Sequence, residues 1–283
     1  MDVSALEEMR DFTLTDKDFD RIRKLVIEHT GISLSDAKRN LVYGRLAKRL
    51  RKMEIGDFGS YIQLLESPAG EEELANFTNA ITTNLTSFFR ENHHFEFLKS
   101  DVLPRLLRDN ASTKKIRVWS AGCSTGEEPY SVAMAIREVI PESKDWDIKI
   151  LATDLDTNVL AHAQAGIYSL ERINNISKSR LKRWFMRGKG DLKDSVKIRS
   201  ELQNLISFRQ LNLMNPWPIK NQFDVIFCRN VVIYFDKPTQ KVLFKRYHEV
   251  LKDTGHMFIG HSETMFKVSE DFKLIGNTTY IKK

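Results

Sequence analysis

Apolar residues recur at helical spacing through the first part of the chain. From residue 15 to about residue 81 they repeat every three or four positions, which is typical of amphipathic helices. Thr15 and Ser35 are the predicted N-caps of two of these helices, and a further helical stretch covers residues 92–107. We expect an all-helical N-terminal domain over residues 1–81, followed by a linker segment and helix over residues 82–109.

The pattern changes after a polar loop at residues 110–115. Short apolar runs now alternate with helical segments, which is typical of a mostly parallel sheet covered by helices on both faces. The predicted strands are 116–120, 148–153, 205–211, 223–228 and 256–259, the predicted helices are 127–140, 158–164 and 239–251, and an antiparallel pair over 273–281 closes the chain. The sequence therefore predicts a doubly wound α/β domain over residues 110–283.

One segment interrupts this alternation. Residues 172–199 hold ten basic and two acidic side chains, and they include a turn-rich Arg187-Gly188-Lys189-Gly190 and a strand-like run at 195–200. We expect a small β-subdomain inserted at about residues 167–204.

Composition places the chain among intracellular globular proteins. Its 283 residues, 41% of them apolar, are enough for two cores. The two cysteines lie far apart in sequence, and the acidic start of the chain lacks the pattern of a signal peptide. No apolar run approaches the roughly 20 residues that cross a bilayer. We therefore expect a cytoplasmic protein without membrane insertion.

A basic block lies in the helical region. Residues 21–52 carry ten bases against two acids. On a helix, Val42, Leu46, Leu50 and Met53 form one apolar stripe, which we expect to pack inward. The flank of that stripe, which we expect to face outward, is formed by Lys38, Arg45, Lys48, Arg49 and Lys52. This flank is either a solvated helix face or a docking surface for an acidic partner. The sequence has neither zinc-finger spacing nor an RNA-binding signature, so a nucleic-acid partner is disfavoured.

Polar residues follow four of the predicted strands. Gly122 lies in a glycine-containing turn between a strand and a helix, where free N–H groups would suit a polar ligand. Asp154 ends the next strand, Asn212 follows the third and Arg229 the fourth. In an open parallel sheet such positions converge at one crevice, and an acidic residue there can accept ribose hydroxyls. The turn lacks both G-x-G-x-x-G and G-K-[ST], which disfavours NAD and ATP.

Several other residues have alternative or structural interpretations. Asp156 is expected to bind a ligand beside Asp154, and the alternative is that it caps the following helix. His93 and His94 are adjacent and are expected to point apart, so no metal site is predicted. Cys123 and Cys228 are interpreted as buried thiols, and His261-Ser262-Glu263 lacks the nucleophile elbow that a hydrolase triad would need.

Four longer strings resemble those of a known family. They are TTNLTSFFRENHHF at 82–95, SAGCSTGEEPYS at 120–131, ATDLDT at 152–157 and FDVIFCRNVVIYF at 223–235. In this order they resemble the CheR family, the bacterial chemotaxis-receptor glutamate methyltransferases, and the likeness covers nearly the whole chain. The resemblance implies a Rossmann-like S-adenosylmethionine (SAM)-dependent domain that forms methyl esters on receptor glutamates.

The resemblance also implies roles for individual residues. Arg90 and Tyr234 would lie beside the reacting groups, Arg90 orienting the incoming carboxylate and Tyr234 donating a hydrogen bond to it. The SAM site would be lined by Asn84, Thr86, Arg90, Gly122, Glu128, Asp154, Asn212, Leu213, Arg229 and Asn230. The helical domain would meet the methylation helices in the cytoplasmic part of the methyl-accepting receptors.

The inserted segment resembles the family's small β-subdomain, which in some members binds a pentapeptide at the receptor's C-terminus. Arg187, Gly188 and Gly190 would then hold this peptide. The alternative is a basic hairpin that only packs beside the SAM domain.

Two rival functions stay open. One is a non-catalytic receptor adaptor that binds SAM or its product S-adenosylhomocysteine. The other is a nucleic-acid methyltransferase, although Asn215-Pro216-Trp217-Pro218 stands before the strand that such a motif should follow. The favoured hypothesis is a monomeric enzyme recruited to membrane receptor arrays.

Overall fold

A computed structural model describes residues 11–141 and 145–283. The first ten residues of the predicted helical domain therefore lie outside the described residues. Contacts divide the chain into two compact units, one up to Thr83 and one from Asn84 onward.

The first unit is helical throughout its described part. Thr15 caps the first helix as predicted: its side chain accepts from the Asp18 N–H, and the Asp18 carboxylate accepts from the Thr15 N–H. Ser35 stands at the N-cap of a short 3₁₀ turn, but its side chain makes no capping bond. The helices are α1 (Asp16–Thr30), α2 (Arg39–Lys52), α3 (Phe58–Leu65) and α4 (Glu71–Ile81).

A buried carboxylate lies inside this helical core. Glu73 is 6% exposed, and its Oε1 accepts from Arg49 Nε and from the Tyr61 hydroxyl, both at 2.8 Å. Its Oε2 accepts from Asn76 Nδ2 at 3.1 Å and pairs with Arg49 Nη2. The Glu73 carboxylate therefore ties α2 and α3 to α4.

The predicted basic flank is only partly exposed. Val42, Leu46 and Leu50 are buried as expected. The expectation that Arg45 and Arg49 face outward is wrong. Arg45 Nη1 donates to the Ile81 and Thr82 carbonyls at 2.5 and 2.8 Å, and Arg49 is held by Glu73. Both guanidiniums satisfy polar groups at the helix ends and in the core, which leaves an exposed lysine set of Lys38, Lys48 and Lys52.

The second unit contains two sheets. Its strands are β1 (Lys115–Ala121), β2 (Asp147–Asp154), β3 (Ile167–Ser169), β4 (Phe185–Arg187), β5 (Ser195–Ile198), β6 (Ile206–Gln210), β7 (Phe223–Cys228), β8 (Leu251–Ile259), β9 (Phe272–Gly276) and β10 (Thr279–Lys282). Seven of them form a sheet with the order β6-β2-β1-β7-β8-β10-β9, and three form an antiparallel sheet with the order β3-β5-β4. In the large sheet the strands from β6 to β8 are parallel, and β10 runs antiparallel to both neighbours.

Helices pack against this sheet around a core that is rich in aromatic rings. Phe227 and Phe258 stack on neighbouring strands with ring centroids 4.5 Å apart, and Trp119 is fully buried. The helices are α5 (His93–Phe97), which continues through a π-helical turn at Leu98–Val102 into α6 (Leu103–Asp109), then α7 (Glu127–Val139), α8 (Thr157–Ala165), α9 (Lys178–Trp184), α10 (Ser200–Gln203) and α11 (Lys237–Val250). Within residues 11–141 and 145–283, no helix has the length and apolar character that a membrane span requires.

The doubly wound fold that the alternating pattern predicted is confirmed. The strand order reverses between β1 and β7, and this reversal opens a crevice at the carboxyl ends of the parallel strands. The expected inserted sheet is also present, although its last strand ends at Ile198 and the chain then forms α10. The three strands of this sheet run from Ile167 to Ile198 and so lie within the predicted insertion, which we call the inserted subdomain.

We expect Glu73→Ala to lower the free energy of unfolding of the helical unit by roughly 2–4 kcal/mol, because Arg49 and Tyr61 would lose a shared partner inside the core. Urea unfolding followed by far-UV circular dichroism measures this. The matched control is Glu72→Ala at the exposed neighbouring position, which should change the unfolding free energy by less than about 0.5 kcal/mol. Equal stabilities of the two variants would contradict the role assigned to Glu73.

Candidate active site

The turn after β1 has the backbone conformation that its glycines suggested. Gly122 has φ +86°, and a Cβ there would lie 2.3 Å from Val231 Cγ2, so no side chain fits. Its N–H and that of Cys123 both donate to the Thr153 carbonyl at 2.8 Å. Some of the N–H groups that were expected to be free for a ligand are therefore used to join the β1 turn to β2.

Asp154 ends β2 and organises the same turn. Its Oδ2 accepts from the Ser124 N–H at 2.7 Å, and its Oδ1 accepts from the Asp156 N–H at 3.0 Å. Burial raises the pKa of Asp154, against the lowering effect of these N–H donors. Asp156 caps α8 by accepting from the Asn158 N–H at 2.9 Å, which is the structural alternative that the sequence left open and not the favoured ligand contact.

A buried cation lies between two carboxylates beneath the crevice. Arg229, 6% exposed, approaches Glu128 Oε2 at 3.2 Å through Nη1 and Glu91 Oε2 at 3.1 Å through Nη2. Glu128 also accepts from the Ser120 hydroxyl at 2.7 Å. Burial raises the pKa of Glu128. Burial also acts to raise the pKa of Glu91, but the Arg229 charge and a hydrogen bond from the His261 N–H outweigh it, and the pKa of Glu91 is lowered. Sequence reasoning missed Glu91, although it directly follows Arg90 in the quoted motif.

Arg90 stands in an irregular segment, residues 84–91, which we call the Arg90 loop. The residues on either side of it, Phe89 and Glu91, have φ of +52° and +56°, a left-handed conformation that costs about 1–3 kcal/mol in a residue other than glycine. The Arg90 guanidinium donates to the Leu85 carbonyl at 2.8 Å, and the Arg90 carbonyl accepts from Arg229. The loop is therefore held in a strained form by the buried cation.

Asn84 and Thr86, the other residues of this loop that were predicted to line the SAM site, form hydrogen bonds with neighbouring segments. Asn84 Nδ2 donates to Asp156 Oδ2 at 2.8 Å, and the Asn84 carbonyl accepts from the Ser124 hydroxyl at 3.1 Å. The Thr86 carbonyl accepts from Arg172 Nη1 at 3.0 Å. Both residues thereby connect the Arg90 loop to the rest of the second unit.

Glu263 holds the segment that carries Asn230 and Tyr234. Its carboxylate accepts from the N–H groups of Asn230 at 2.8 Å, Val231 at 2.9 Å and Ile233 at 3.2 Å, and also from that of Gly260. Asn230 has φ +58°, and Tyr234 ends a 3₁₀ turn with its side chain partly exposed. From the sequence, Glu263 was excluded as a member of a hydrolase triad and no other role was predicted for it. Its role could not be predicted because it binds main-chain groups of a turn that is distant in sequence.

Asn212 and Leu213 follow β6. Asn212 Oδ1 accepts from the Met214 N–H at 2.9 Å, which closes a turn, and the Leu213 carbonyl accepts from Arg246 Nη1 at 2.7 Å. The strand order β6-β2-β1-β7 sets Asn212, Asp154, Gly122 and Arg229 at the carboxyl ends of adjacent parallel strands, as predicted.

Two histidines lie next to Glu91. The prediction that His93 and His94 point apart is wrong, because their ring centroids are only 4.2 Å apart; a separation of 100° on a helix still lets two large rings meet. With Glu91 they place three potential ligand atoms within 4.8 Å of one another. The Glu91 carboxylate, however, is paired with Arg229, and His94 Nε2 donates to the Asn277 carbonyl at 2.7 Å. The cluster thus joins α5 to the buried cation.

The residues expected to hold a peptide lie at one edge of the inserted subdomain. β4 is an outer strand of its sheet, and Arg187 at its end is exposed. Gly188 follows, and a Cβ there would lie 1.9 Å from the Leu192 carbonyl oxygen; Gly190 has φ +59°. Both glycines are required by the tight connection from β4 to β5.

The two cysteines are free and buried, as expected. Burial raises the pKa of both thiols well above their ordinary value, so neither Cys123 nor Cys228 is present as a reactive thiolate.

Comparisons with known proteins assign both units to one family. Residues 84–281 match the CheR methyltransferase SAM-binding domain, and residues 17–82 match the CheR methyltransferase all-alpha domain. A probable chemotaxis protein methyltransferase of Rhizobium etli is 43% identical over 90% of this chain and 96% of its own length. Chemotaxis protein methyltransferase 2 of Pseudomonas aeruginosa is 44% identical, covering 96% and 95%, and the chemotaxis protein methyltransferase of Escherichia coli is 44% identical, covering 94% and 91%.

These matches show that the protein is a methyltransferase that uses SAM as its methyl donor, and that the second unit binds SAM. The chain belongs to the CheR methyltransferase family and contains both of the family's domains in order. It carries out SAM-dependent methylation in chemotaxis.

The buried histidines make stability depend on pH. Burial, with nearby positive charge, lowers the pKa of His94 and His256 from 6.5 to about 4. At these two residues the unfolded chain takes up protons at a higher pH than the folded chain, so the stability that each neutral histidine contributes is complete above pH 6.5 and falls as the pH drops from about 6.5 towards 4. The loss should reach roughly 3 kcal/mol for each histidine.

Urea unfolding at several pH values, followed by tryptophan fluorescence, tests this, since all four tryptophans lie in the second unit. We expect His94→Gln to make the loss shallower. His261→Gln, at an exposed position, serves as the control and should retain the wild-type slope. A pH-independent midpoint in the wild type would contradict the expectation.

Proposed function

We propose that this protein transfers the methyl group of SAM to glutamate side chains of chemotaxis receptors and forms methyl esters. The observation that carries the proposal is the convergence of Asp154, Asn212, Glu128 and Arg229 at one crevice beside the Arg90 loop. We also propose that the enzyme is a monomer. Its substrate would lie in the cytoplasmic part of receptors in membrane arrays.

The donor set of the crevice fits the cofactor. Asp154 is a partly exposed carboxylate at a strand end, where it would accept the ribose hydroxyls. Gly122 has no side chain, so the backbone of the turn can approach a ligand closely. The rest of the proposed lining is Asn84, Thr86, Arg90, Glu128, Asn212, Leu213, Arg229 and Asn230. When bound, SAM supplies a methyl group made electrophilic by its sulfonium.

The protein's own contribution is orientation. A receptor glutamate is already ionised at pH 7, because its ordinary pKa is about 4.3, so it needs no general base. Arg90 attracts and orients this carboxylate, and the Tyr234 hydroxyl donates a hydrogen bond to it. Correct alignment of two reactants can supply roughly 7–11 kcal/mol of the barrier, and exclusion of water from the carboxylate adds to its reactivity.

The helical unit would recruit the receptor's methylation helices. Lys38, Lys48 and Lys52 are exposed and present positive charge, which complements helices rich in glutamate. Arg45 and Arg49 belong to the flank named from the sequence but act inside the unit, so their contribution to docking is to hold the helices that carry the lysines.

The inserted subdomain would bind the receptor's C-terminal pentapeptide. The open edge of β4 offers unpaired main-chain groups to an extended segment, as in strand addition. Arg187 supplies positive charge at the same edge, and Gly188 and Gly190 shape the loop that follows.

For Arg90→Ala we expect kcat/KM for receptor methylation to fall by at least about 100-fold, because the incoming carboxylate loses its charged partner. Base-labile transfer of tritium from labelled SAM to receptor-bearing membranes measures the rate. Arg90→Lys retains the charge without the planar fork and should recover part of it.

The far-UV circular dichroism spectrum and the urea unfolding midpoint are the control for folding and should match those of wild type. A rate for Arg90→Ala within twofold of wild type would refute the role of Arg90. Cofactor binding without any ester-linked label from the wild-type protein would instead favour a receptor adaptor.

Removal of the last five residues of the receptor should lower the methylation rate at low receptor concentration and leave kcat at saturation unchanged, because a tether raises only local concentration. Arg187→Glu in the enzyme should reproduce this effect on the full-length receptor. Equal rates with full-length and shortened receptors at every concentration would show that this protein uses no tether.

A further inference from the structure

The Arg90 loop has few hydrogen bonds of its own: the Arg90 N–H donates to the Ser87 carbonyl at 3.3 Å, and the Arg90 guanidinium donates to the Leu85 carbonyl. Phe89 and Glu91 are left-handed, and the segment 84–91 forms no regular helix or strand. We therefore expect the surrounding side chains to hold its strained conformation.

The core of the second unit supplies one set of these contacts. The Phe89 N–H donates to the Ser131 hydroxyl at 2.9 Å, on α7. The Arg90 carbonyl accepts from Arg229, which follows β7. These two bonds hold the loop on the side that faces the large sheet.

The inserted subdomain supplies the other set. Asn175 Nδ2 donates to the Phe88 carbonyl at 2.5 Å, and Arg172 Nη1 donates to the Thr86 carbonyl at 3.0 Å. The Phe88 ring is fully buried and packs edge-on against Tyr168 of β3, with centroids 4.9 Å apart, and against Phe185 of β4, at 5.6 Å. Phe88, two residues before Arg90, is thus anchored in the subdomain by both its ring and its carbonyl.

We infer that Asn175 of the inserted subdomain is a positioning residue for Arg90, whose amide fixes the Phe88 carbonyl and thereby the turn that presents the Arg90 guanidinium. This inference rests on the proposed role of Arg90 in methyl transfer. It gives the subdomain a function in the chemical step that is separate from peptide binding, since the Asn175 contact involves neither Arg187 nor the β4 edge.

Asn175 is suited to a test because it is an exposed residue, and its replacement should therefore leave the core intact. Asn175→Ala should lower kcat about fivefold, the effect of one lost hydrogen bond, and should leave the affinity for S-adenosylhomocysteine within twofold of wild type. Asn175→Asp keeps the size but removes the donor, and we expect an equal or larger loss. Asn174→Ala, at the exposed neighbouring position, is the matched control and should retain wild-type kcat.

A double-mutant cycle with Arg90→Lys tests whether Asn175 acts through Arg90. We expect Asn175→Ala to have a smaller effect on kcat in the Arg90→Lys background than in wild type. Equal effects in the two backgrounds, an unchanged kcat for Asn175→Ala, or a loss of cofactor affinity as large as the loss of kcat would each overturn the inference. Failure of the proposed function itself is distinguishable, because Arg90→Lys and Arg90→Ala alone would then leave kcat unchanged.

Discussion

Arg229, held between Glu128 and Glu91, is the interaction on which the crevice depends. A buried guanidinium is tolerated only where carboxylates and carbonyls compensate for the water it has lost, and removing one partner of such a group costs roughly 3–5 kcal/mol. Here the two carboxylates come from α7 and from the Arg90 loop, and the loop's own carbonyl accepts a further bond. One cation thus joins β7, α7 and the Arg90 loop.

Carboxylates organise the remaining loops in the same way. Glu263 accepts four main-chain N–H groups and so fixes the turn with Asn230 and Tyr234, and Asp154 accepts two and fixes the turn after β1. Burial raises the pKa of Glu263 and of Asp154, while the N–H donors oppose that rise. The left-handed residues Ser124 and Asn230 each donate their N–H to one of these acceptors, which prepares the crevice before any ligand enters.

The inserted subdomain and the helical unit show how one charge pattern can serve two purposes. In the basic block of α2, two arginines satisfy carbonyls and a buried carboxylate, whereas the lysines of the same block are exposed. In the subdomain, Arg172 holds a loop carbonyl while Arg187 lies at an open strand edge. Arginine forms directed bonds to oxygen acceptors, and lysine keeps its charge in water.

The sequence by itself determined the main elements of the helical unit and of the large sheet and their order, but not β3, β4, α9 and α10 of the inserted segment. The N-cap at Thr15 and the bounds of β7 follow from local patterns, and the convergence of Gly122, Asp154, Asn212 and Arg229 follows from parallel strands alone. Only the tertiary structure decided which polar groups pair. Glu91 and Glu128 meet Arg229 across more than a hundred residues, and Asn175 meets Phe88 across 87. Local periodicity reports which side of an element is buried, but a polar pair depends on packing between distant elements, which no local pattern encodes.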